Sequence, residues 1–64
     1  MKIGDKCFLT ENTKVILGHD DGIVYTIVDI LKLEVECPIV INAEQFGKDW
    51  VEFVDEDELI EIKG

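Results

Sequence analysis

The side chains that could carry covalent chemistry do not stand in an arrangement typical of a catalytic site. The single histidine, His19, precedes Asp20 and Asp21 in the segment GHDDG (18–22). A histidine beside a carboxylate can act as a general base, but neither a nucleophile nor a glycine-rich phosphate loop accompanies this one. Two glycines around two aspartates instead favour a solvated turn. The sequence therefore predicts no catalytic residue, and we expect the protein not to be an enzyme.

The two cysteines, Cys7 and Cys37, are too few for a disulfide framework. We expect both thiols to be reduced and mostly buried, because free cysteine is among the most buried residue types. A structural zinc site needs four closely spaced ligands, and the chain has one histidine and no CxxC pair. The segment GHDDG also lacks the 12-residue ligand loop of an EF-hand. We expect neither a metal nor another cofactor.

Carboxylates are concentrated in the segment FVDEDELIEI (53–62), which contains five of them among five apolar residues, and Glu52 adds a sixth. Asp55 is a natural helix N-cap, and Glu58 stands three residues later at the spacing of a capping box. Folding does not require the other four, so we assign them to recognition of a partner: Glu52, Glu56, Asp57 and Glu61. All six are predicted to lie close together on the surface.

The overall charge limits the classes of partner. Fifteen acidic residues against six lysines give a formal charge of −9, and the chain contains no arginine. Arginine is the usual reader of phosphates and base edges, so direct nucleic-acid binding is not expected. The same charge steers the protein toward a partner with a basic surface.

The length of 64 residues predicts a single domain spanning 1–64. No apolar run approaches the roughly 20 residues of a membrane span, and MKIGDKCFL lacks the apolar stretch of a signal peptide. We therefore expect a cytoplasmic protein.

Apolar residues recur mostly at period two, which is typical of β-strands. Residues 6–10 predict one strand, residues 13–17 a strand or an ordered loop arm, and residues 43–49 a loop or one helical turn. Residues 50–54 alternate and predict another strand, with Trp50, Glu52 and Val54 on one side. The charged DEDEL (55–59) suits a helical or 3₁₀ turn, and residues 59–63 a final short strand.

The segment from Gly22 to Asn42 is too long for one strand. Its first part reads as a strand buried on both faces, or as one with a bulge near Asp29. Its second part reads as a strand with one wet face, and the bend is predicted between Leu31 and Glu36. Pro38 then begins a further run, PIVIN (38–42). Five strands with short connections predict an all-β fold, a small barrel that curls on itself and removes its edges.

Three stretches resemble the small SH3-like barrel proteins of bacteriophages and prophages of Gram-positive bacteria: GIVYTIVDI (22–30), PIVI (38–41) and WVEFVDEDELIEI (50–62). The resemblance implies a five-stranded SH3-like barrel whose one helical turn, DEDEL, precedes the closing strand. SH3 domains that bind proline-rich peptides carry a cluster of exposed aromatic residues. This chain is expected to offer only Trp50 and Tyr25, with Phe8, Phe46 and Phe53 committed to packing.

Two candidate contact regions complete the sequence prediction. Trp50 would be a favoured binding anchor if exposed, although a core this small also needs its single tryptophan. The stripe Leu31, Leu33 and Val35 could remain uncovered and mediate self-association as a homo-oligomer.

Two classes of function follow from these observations. The first is a protein-binding module, phage-encoded, that binds or inhibits a host protein in the host cytoplasm, in one version by DNA mimicry. The alternative is a small structural or assembly accessory protein that self-associates.

Overall fold

The computed structural model describes residues 2–31 and 36–62 of the chain. It contains five short strands, one α-helix and two 3₁₀ turns. In chain order these are β1 (Lys6–Leu9), α1 (Glu11–Leu17), β2 (Tyr25–Ile30), β3 (Ile39–Asn42), the first 3₁₀ turn (Glu44–Phe46), β4 (Glu52–Val54), the second 3₁₀ turn (Glu56–Glu58) and β5 (Leu59–Glu61). The protein is thus mostly β, with a little helix.

All neighbouring strands are antiparallel and form one sheet in the order β4-β3-β2-β1-β5. The first strand lies between the second and the last, so the two ends of the chain meet in the sheet. β4 and β5 are the two edge strands, and no ladder joins them within residues 2–31 and 36–62. The predicted closure into a barrel is therefore not found in this part of the chain, and the sheet is open.

One face of the sheet forms the core. Every strand contributes at least one buried apolar side chain, and in β1 and the first half of β2 these alternate as the period-two pattern predicts, whereas three consecutive residues of β3 are buried. Ile23 and Ala43 complete the cluster from the loops, and Leu17 of α1 packs against it. The strand residues of the core are Cys7, Leu9, Tyr25, Ile27, Ile39, Ile41, Val54 and Leu59.

The bulge predicted near Asp29 is confirmed. Ile27 pairs with Ile41 and Asp29 pairs with Val40, so Val28 of β2 has no counterpart on β3. The extra residue shifts the alternation of β2, which explains why Val28 and Asp29 are both exposed.

The expectation of a strand or loop arm at residues 13–17 is wrong, because these residues belong to helix α1. Thr13, Val15 and Ile16 are β-branched, which lowers helix propensity and makes the local pattern resemble a strand. The helix ends at Gly18, whose φ of 72° is a left-handed conformation that glycine adopts without strain. Its N–H group bonds to the carbonyls of Lys14 and Val15.

The connection between β2 and β3 lies partly outside the described residues. β2 ends at Ile30, and the Leu31 N–H donates to the Pro38 carbonyl at 2.7 Å, which brings the two ends of the connection together. The bend predicted between Leu31 and Glu36 falls on residues 32–35, outside the described part. Leu31, Glu36 and Cys37 do not belong to a strand, so the second wet-faced strand predicted there does not include them.

Candidate binding surface

The acidic segment forms an edge strand, a 3₁₀ turn and the opposite edge strand. Glu52 lies half-buried on β4, Glu56 and Asp57 are exposed on the second 3₁₀ turn, and Glu61 is exposed on β5. The helical turn predicted within DEDEL is confirmed as the 3₁₀ turn Glu56–Glu58. The prediction that all six carboxylates lie close together on one surface stays a prediction.

The capping box predicted from Asp55 and Glu58 is confirmed. The Asp55 side chain accepts from the Glu56 N–H at 2.7 Å, and Glu58 Oε1 accepts from the Asp55 N–H at 2.9 Å. These bonds satisfy backbone donors that the start of a helical turn leaves unpaired. Both side chains therefore serve the fold, whereas Glu56 and Asp57 on the same turn accept no such bond within the described residues.

Glu58 has a second structural contact that the sequence did not reveal. Its Oε2 accepts from the Thr13 hydroxyl at 3.2 Å, and that hydroxyl in turn accepts from Thr10 Oγ1 at 2.9 Å. The Thr10 N–H also donates to the Glu58 carbonyl at 3.0 Å. These bonds connect the start of α1 to the second 3₁₀ turn and account for the burial of Thr13.

Four carboxylates lie close enough to Cys37 to act on its thiol. Burial raises the pKa of Cys37, and the negative charges of Glu58, Asp55, Glu36 and Glu52 raise it further. Sequence reasoning missed Glu36 as a member of this acidic neighbourhood, because it belongs to the connection before β3. Cys37 is free and only partly buried, whereas Cys7 is free and fully buried.

The ion pairs among the described residues both lie at Lys14. Lys14 Nζ lies 3.0 Å from Glu11 Oε2 and 2.6 Å from Asp21 Oδ1, and both pairs within residues 2–31 and 36–62 use this one ammonium. Neither pair involves a carboxylate of residues 52–61.

Trp50 is partly buried and packs against the core as part of an aromatic cluster. Its ring centroid lies 4.8 Å from that of Phe46, 5.6 Å from that of His19 and 6.3 Å from that of Tyr25. Asn42 holds the loop that carries Trp50, because its Nδ2 donates to the carbonyls of Gly47 and Trp50. The structure thus gives Trp50 a packing role.

Two sequence expectations about the aromatic cluster are wrong. His19 does not lie in a solvated turn: it is partly buried, and its Nδ1 lies 2.7 Å from the Tyr25 hydroxyl. Tyr25 is not an exposed aromatic residue, because its side chain is only 1% exposed. The cluster forms because the loops before β2 and after β3 meet at the same end of the sheet.

Several large apolar side chains are exposed, among them Phe8, Phe46 and Phe53, which were expected to pack. Phe8 of β1, Phe53 of β4 and Ile60 of β5 all alternate with buried core residues, so they emerge on the outer face of the sheet. Val15 and Ile16 of α1 are exposed as well. Strand alternation carried this signal for the three sheet residues, since their immediate neighbours are the core positions.

The stripe predicted for self-association is only partly described. Leu31 is half-buried, and Leu33 and Val35 lie outside the described residues. Self-association through this stripe stays a prediction.

Comparison with protein-family models, with curated proteins and with solved structures finds no match for this chain. In the part of the chain that the structure describes, no helix is long and apolar enough to cross a membrane. No group of three or more histidine, cysteine or acidic side chains there could hold a metal ion.

Proposed function

We propose that this protein is a non-enzymatic binding module that docks on a protein partner with a basic surface. The contact residues of this proposal are Glu52, Glu56, Asp57 and Glu61. Trp50, which the sequence also suggested as an anchor, packs against the core and is assigned to positioning the loop before β4.

The observation that carries the proposal is the concentration of acidic residues between Glu52 and Glu61 in a chain with a formal charge of −9. Neither ion pair of the described residues involves a carboxylate of this segment. Grouped charges of one sign raise the rate at which an oppositely charged partner finds the surface, and they disfavour partners of the same sign. A basic protein groove, including one that normally holds nucleic acid, fits these requirements.

The proposal also includes the type of fold and the origin of the protein. The position of β1 between β2 and β5, with a 3₁₀ turn just before the last strand, supports an SH3-like arrangement, although the open sheet departs from a closed barrel. With the sequence resemblance, this supports a phage-encoded protein acting in the host cytoplasm. In this role the carboxylates imitate DNA phosphates and inhibit a host protein by occupying its basic groove.

The test is capture of a partner from host lysate on the immobilised protein, followed by elution with salt and with duplex DNA. The triple variant Glu56→Gln, Asp57→Asn, Glu61→Gln removes three charges without touching the capping box. We expect it to bind the captured partner at least tenfold more weakly at low salt, and the difference to shrink as ionic strength rises. Duplex DNA should release the partner if the carboxylates imitate phosphates.

A matched control separates local recognition from total charge. The variant Asp20→Asn, Glu44→Gln, Asp49→Asn removes the same number of charges from exposed positions elsewhere and should bind as the parent does. If the two triple variants behave alike, or if the first binds as tightly as the parent, the acidic C-terminal surface is not the contact surface.

A second candidate function, assembly by self-association, is supported by the apolar side chains that α1 leaves exposed, Val15 and Ile16. Two open sheet edges add unpaired backbone groups that a second copy could use. Sedimentation velocity distinguishes this candidate: a strict monomer at high micromolar concentration removes it.

A further inference from the structure

A groove of about 390 Å³ lies between helix α1, the loop that follows it, and the outer face of β1 and β5. Phe8 and Ile60 form one wall, and they are direct neighbours across the β1–β5 ladder. Leu9 and Ile23, both members of the core, reach the groove from below. Glu11 and Lys14 of α1 form the opposite wall. The groove therefore has an apolar floor and one charged side.

Exposure of the apolar wall to water is unfavourable in free energy, so a ligand that covers it would gain affinity. Phe8 remains partly exposed and Ile60 is 52% exposed, and each buried methylene of such a side chain contributes favourably when a ligand covers it. The volume lies within the roughly 300–1,000 Å³ range of ligand sites, at its small end. It suits one or two side chains of a partner better than a large ligand.

The rim of the groove, taken as Glu11, Lys14 and the Asp21 that pairs with Lys14, carries a net negative charge. Lys14 Nζ is held by Glu11 and Asp21, and these two carboxylates raise the pKa of the ammonium, which stays protonated. Two carboxylates and one ammonium leave a charge of −1, and both carboxylates are exposed to solvent whereas Lys14 is largely covered. Glu11 lines the groove, and Asp21 is the chain neighbour of the lining residue Gly22, so both carboxylates belong to the rim and neutralise the lysine there.

We propose that this groove binds an apolar side chain that is flanked by lysine or arginine in an exposed segment of the partner. The inference rests on the proposed function, because it supplies the apolar anchor that a purely electrostatic contact lacks. Fatty acids and other anionic ligands are disfavoured by the acidic rim. A second copy of this chain is disfavoured too, since each copy carries a charge of −9 and no arginine.

The experiment uses three nine-residue peptides and backbone amide chemical shifts of the whole protein. The first peptide contains a central phenylalanine between lysines, the second replaces phenylalanine by serine, and the third replaces the lysines by glutamate. We expect the first peptide alone to shift the amides of Phe8, Gly22, Ile23 and Ile60 in a saturable manner.

A matched pair of variants tests the apolar wall. Ile60→Ser should weaken binding of the first peptide about tenfold, as expected for losing about two buried methylene groups. Phe53→Ser is the control, because Phe53 is also 52% exposed and also lies on an edge strand, but it does not line the groove. It should bind as the parent does.

A further variant tests the acidic rim by reversing the sign of its net charge. Glu11→Gln combined with Asp21→Asn leaves Lys14 unpaired and turns the rim charge from −1 to +1. Both carboxylates are more than 80% exposed, so their pairs with Lys14 contribute little to stability and the variant should remain folded. This variant should prefer the glutamate-flanked peptide over the lysine-flanked one.

Four results would overturn the inference: no saturable shifts at the groove, equal binding of the serine peptide, equal effects of the Ile60 and Phe53 variants, or concentration-dependent shifts of the same amides without peptide. The last result would assign the groove to a second copy of the chain.

The proposed function is tested separately. If the Glu56–Asp57–Glu61 variant loses the captured partner but Ile60→Ser does not, the acidic contact stands without the groove. The reverse result retains the groove and removes the acidic contact.

Discussion

Glu58 shows how one carboxylate of an acidic run can belong to the fold. Its two oxygens accept from the Asp55 N–H and from the Thr13 hydroxyl, a residue 45 positions away in the chain. A charge-assisted hydrogen bond of this kind is stronger than a neutral one. The neighbouring Glu56 carries the same charge but has no comparable bond among the described residues, so the two residues should respond differently to substitution.

We predict that Glu58→Ala lowers the free energy of unfolding by about 1–2 kcal/mol, since it removes a cap and a bond to α1. Glu56→Ala should change it by less than about 0.5 kcal/mol, as is usual for an exposed side chain. Urea unfolding followed by circular dichroism measures both. Equal losses for the two variants would contradict the structural role of Glu58.

Cys7 and Cys37 occupy different environments, although the sequence predicted the same one for both. Burial, with a smaller contribution from the charge of Asp5, raises the pKa of Cys7 from 9.0 to about 11. Cys37 is only partly buried. In native protein we therefore expect a neutral alkylating reagent to modify Cys37 before Cys7.

The raised pKa of Cys7 also predicts a pH dependence. The unfolded thiol releases its proton near pH 9, whereas the folded one keeps it until about pH 11. Between these values the folded state binds more protons, so the contribution of Cys7 to stability is complete below pH 9 and is lost as the pH approaches 11. The stability difference between the parent and Cys7→Ala should narrow over this interval. A constant difference in urea unfolding from pH 8 to 11 would contradict the assignment.

At the scale of elements, the loop between β3 and β4 depends on one side chain. Asn42 donates from Nδ2 to the carbonyls of Gly47 and Trp50, so it holds both the turn and the aromatic residue that packs on the core. The cluster of Trp50, Phe46, His19 and Tyr25 follows from this placement.

We predict that Asn42→Asp destabilises the protein by about 1–3 kcal/mol, because a carboxylate of the same size cannot donate and would face two carbonyls. The fluorescence of Trp50 should shift to longer wavelength as the ring becomes more hydrated. Gln45→Glu is the control: it makes the same amide-to-acid change at an exposed position in this loop and should leave both signals near those of the parent.

For the whole molecule, charge repulsion is the main unfavourable electrostatic effect. Pairs of exposed like charges repel by about 1 kcal/mol or less at contact distance in water, and salt reduces this further. The compact state therefore tolerates its net charge but gains stability when the charge is screened.

We predict that the melting temperature rises with sodium chloride between 0.02 and 0.5 M, values chosen so that the Debye length falls from roughly 20 Å to below 5 Å. The variant Glu56→Gln, Asp57→Asn, Glu61→Gln should be as stable as the parent or slightly more stable at low salt, with a smaller rise. A parent protein whose melting temperature is independent of salt would show that these carboxylates do not repel in the folded state.

Features that depend on neighbouring residues could be predicted from the order of the amino acids. Local apolar patterns predicted the strands that end at Leu9, Asn42 and Val54, and they gave the bulge beside Asp29 as one of two interpretations. The Asp55–Glu58 spacing predicted the capped turn. Each of these depends on backbone geometry or on hydrogen bonds within a few residues, so a local pattern is sufficient to predict it.

Features that depend on residues far apart in the chain became visible only in the folded protein. Helix α1 forms from β-branched residues that locally favour a strand, and its start is tied to Glu58 across 45 positions. His19 is enclosed because two loops meet at one end of the sheet. The groove exists because the β1–β5 ladder sets Phe8 beside Ile60, opposite α1. Long-range pairing can override local propensity in this way because the burial and hydrogen bonds it adds outweigh differences of a few tenths of a kcal/mol per residue.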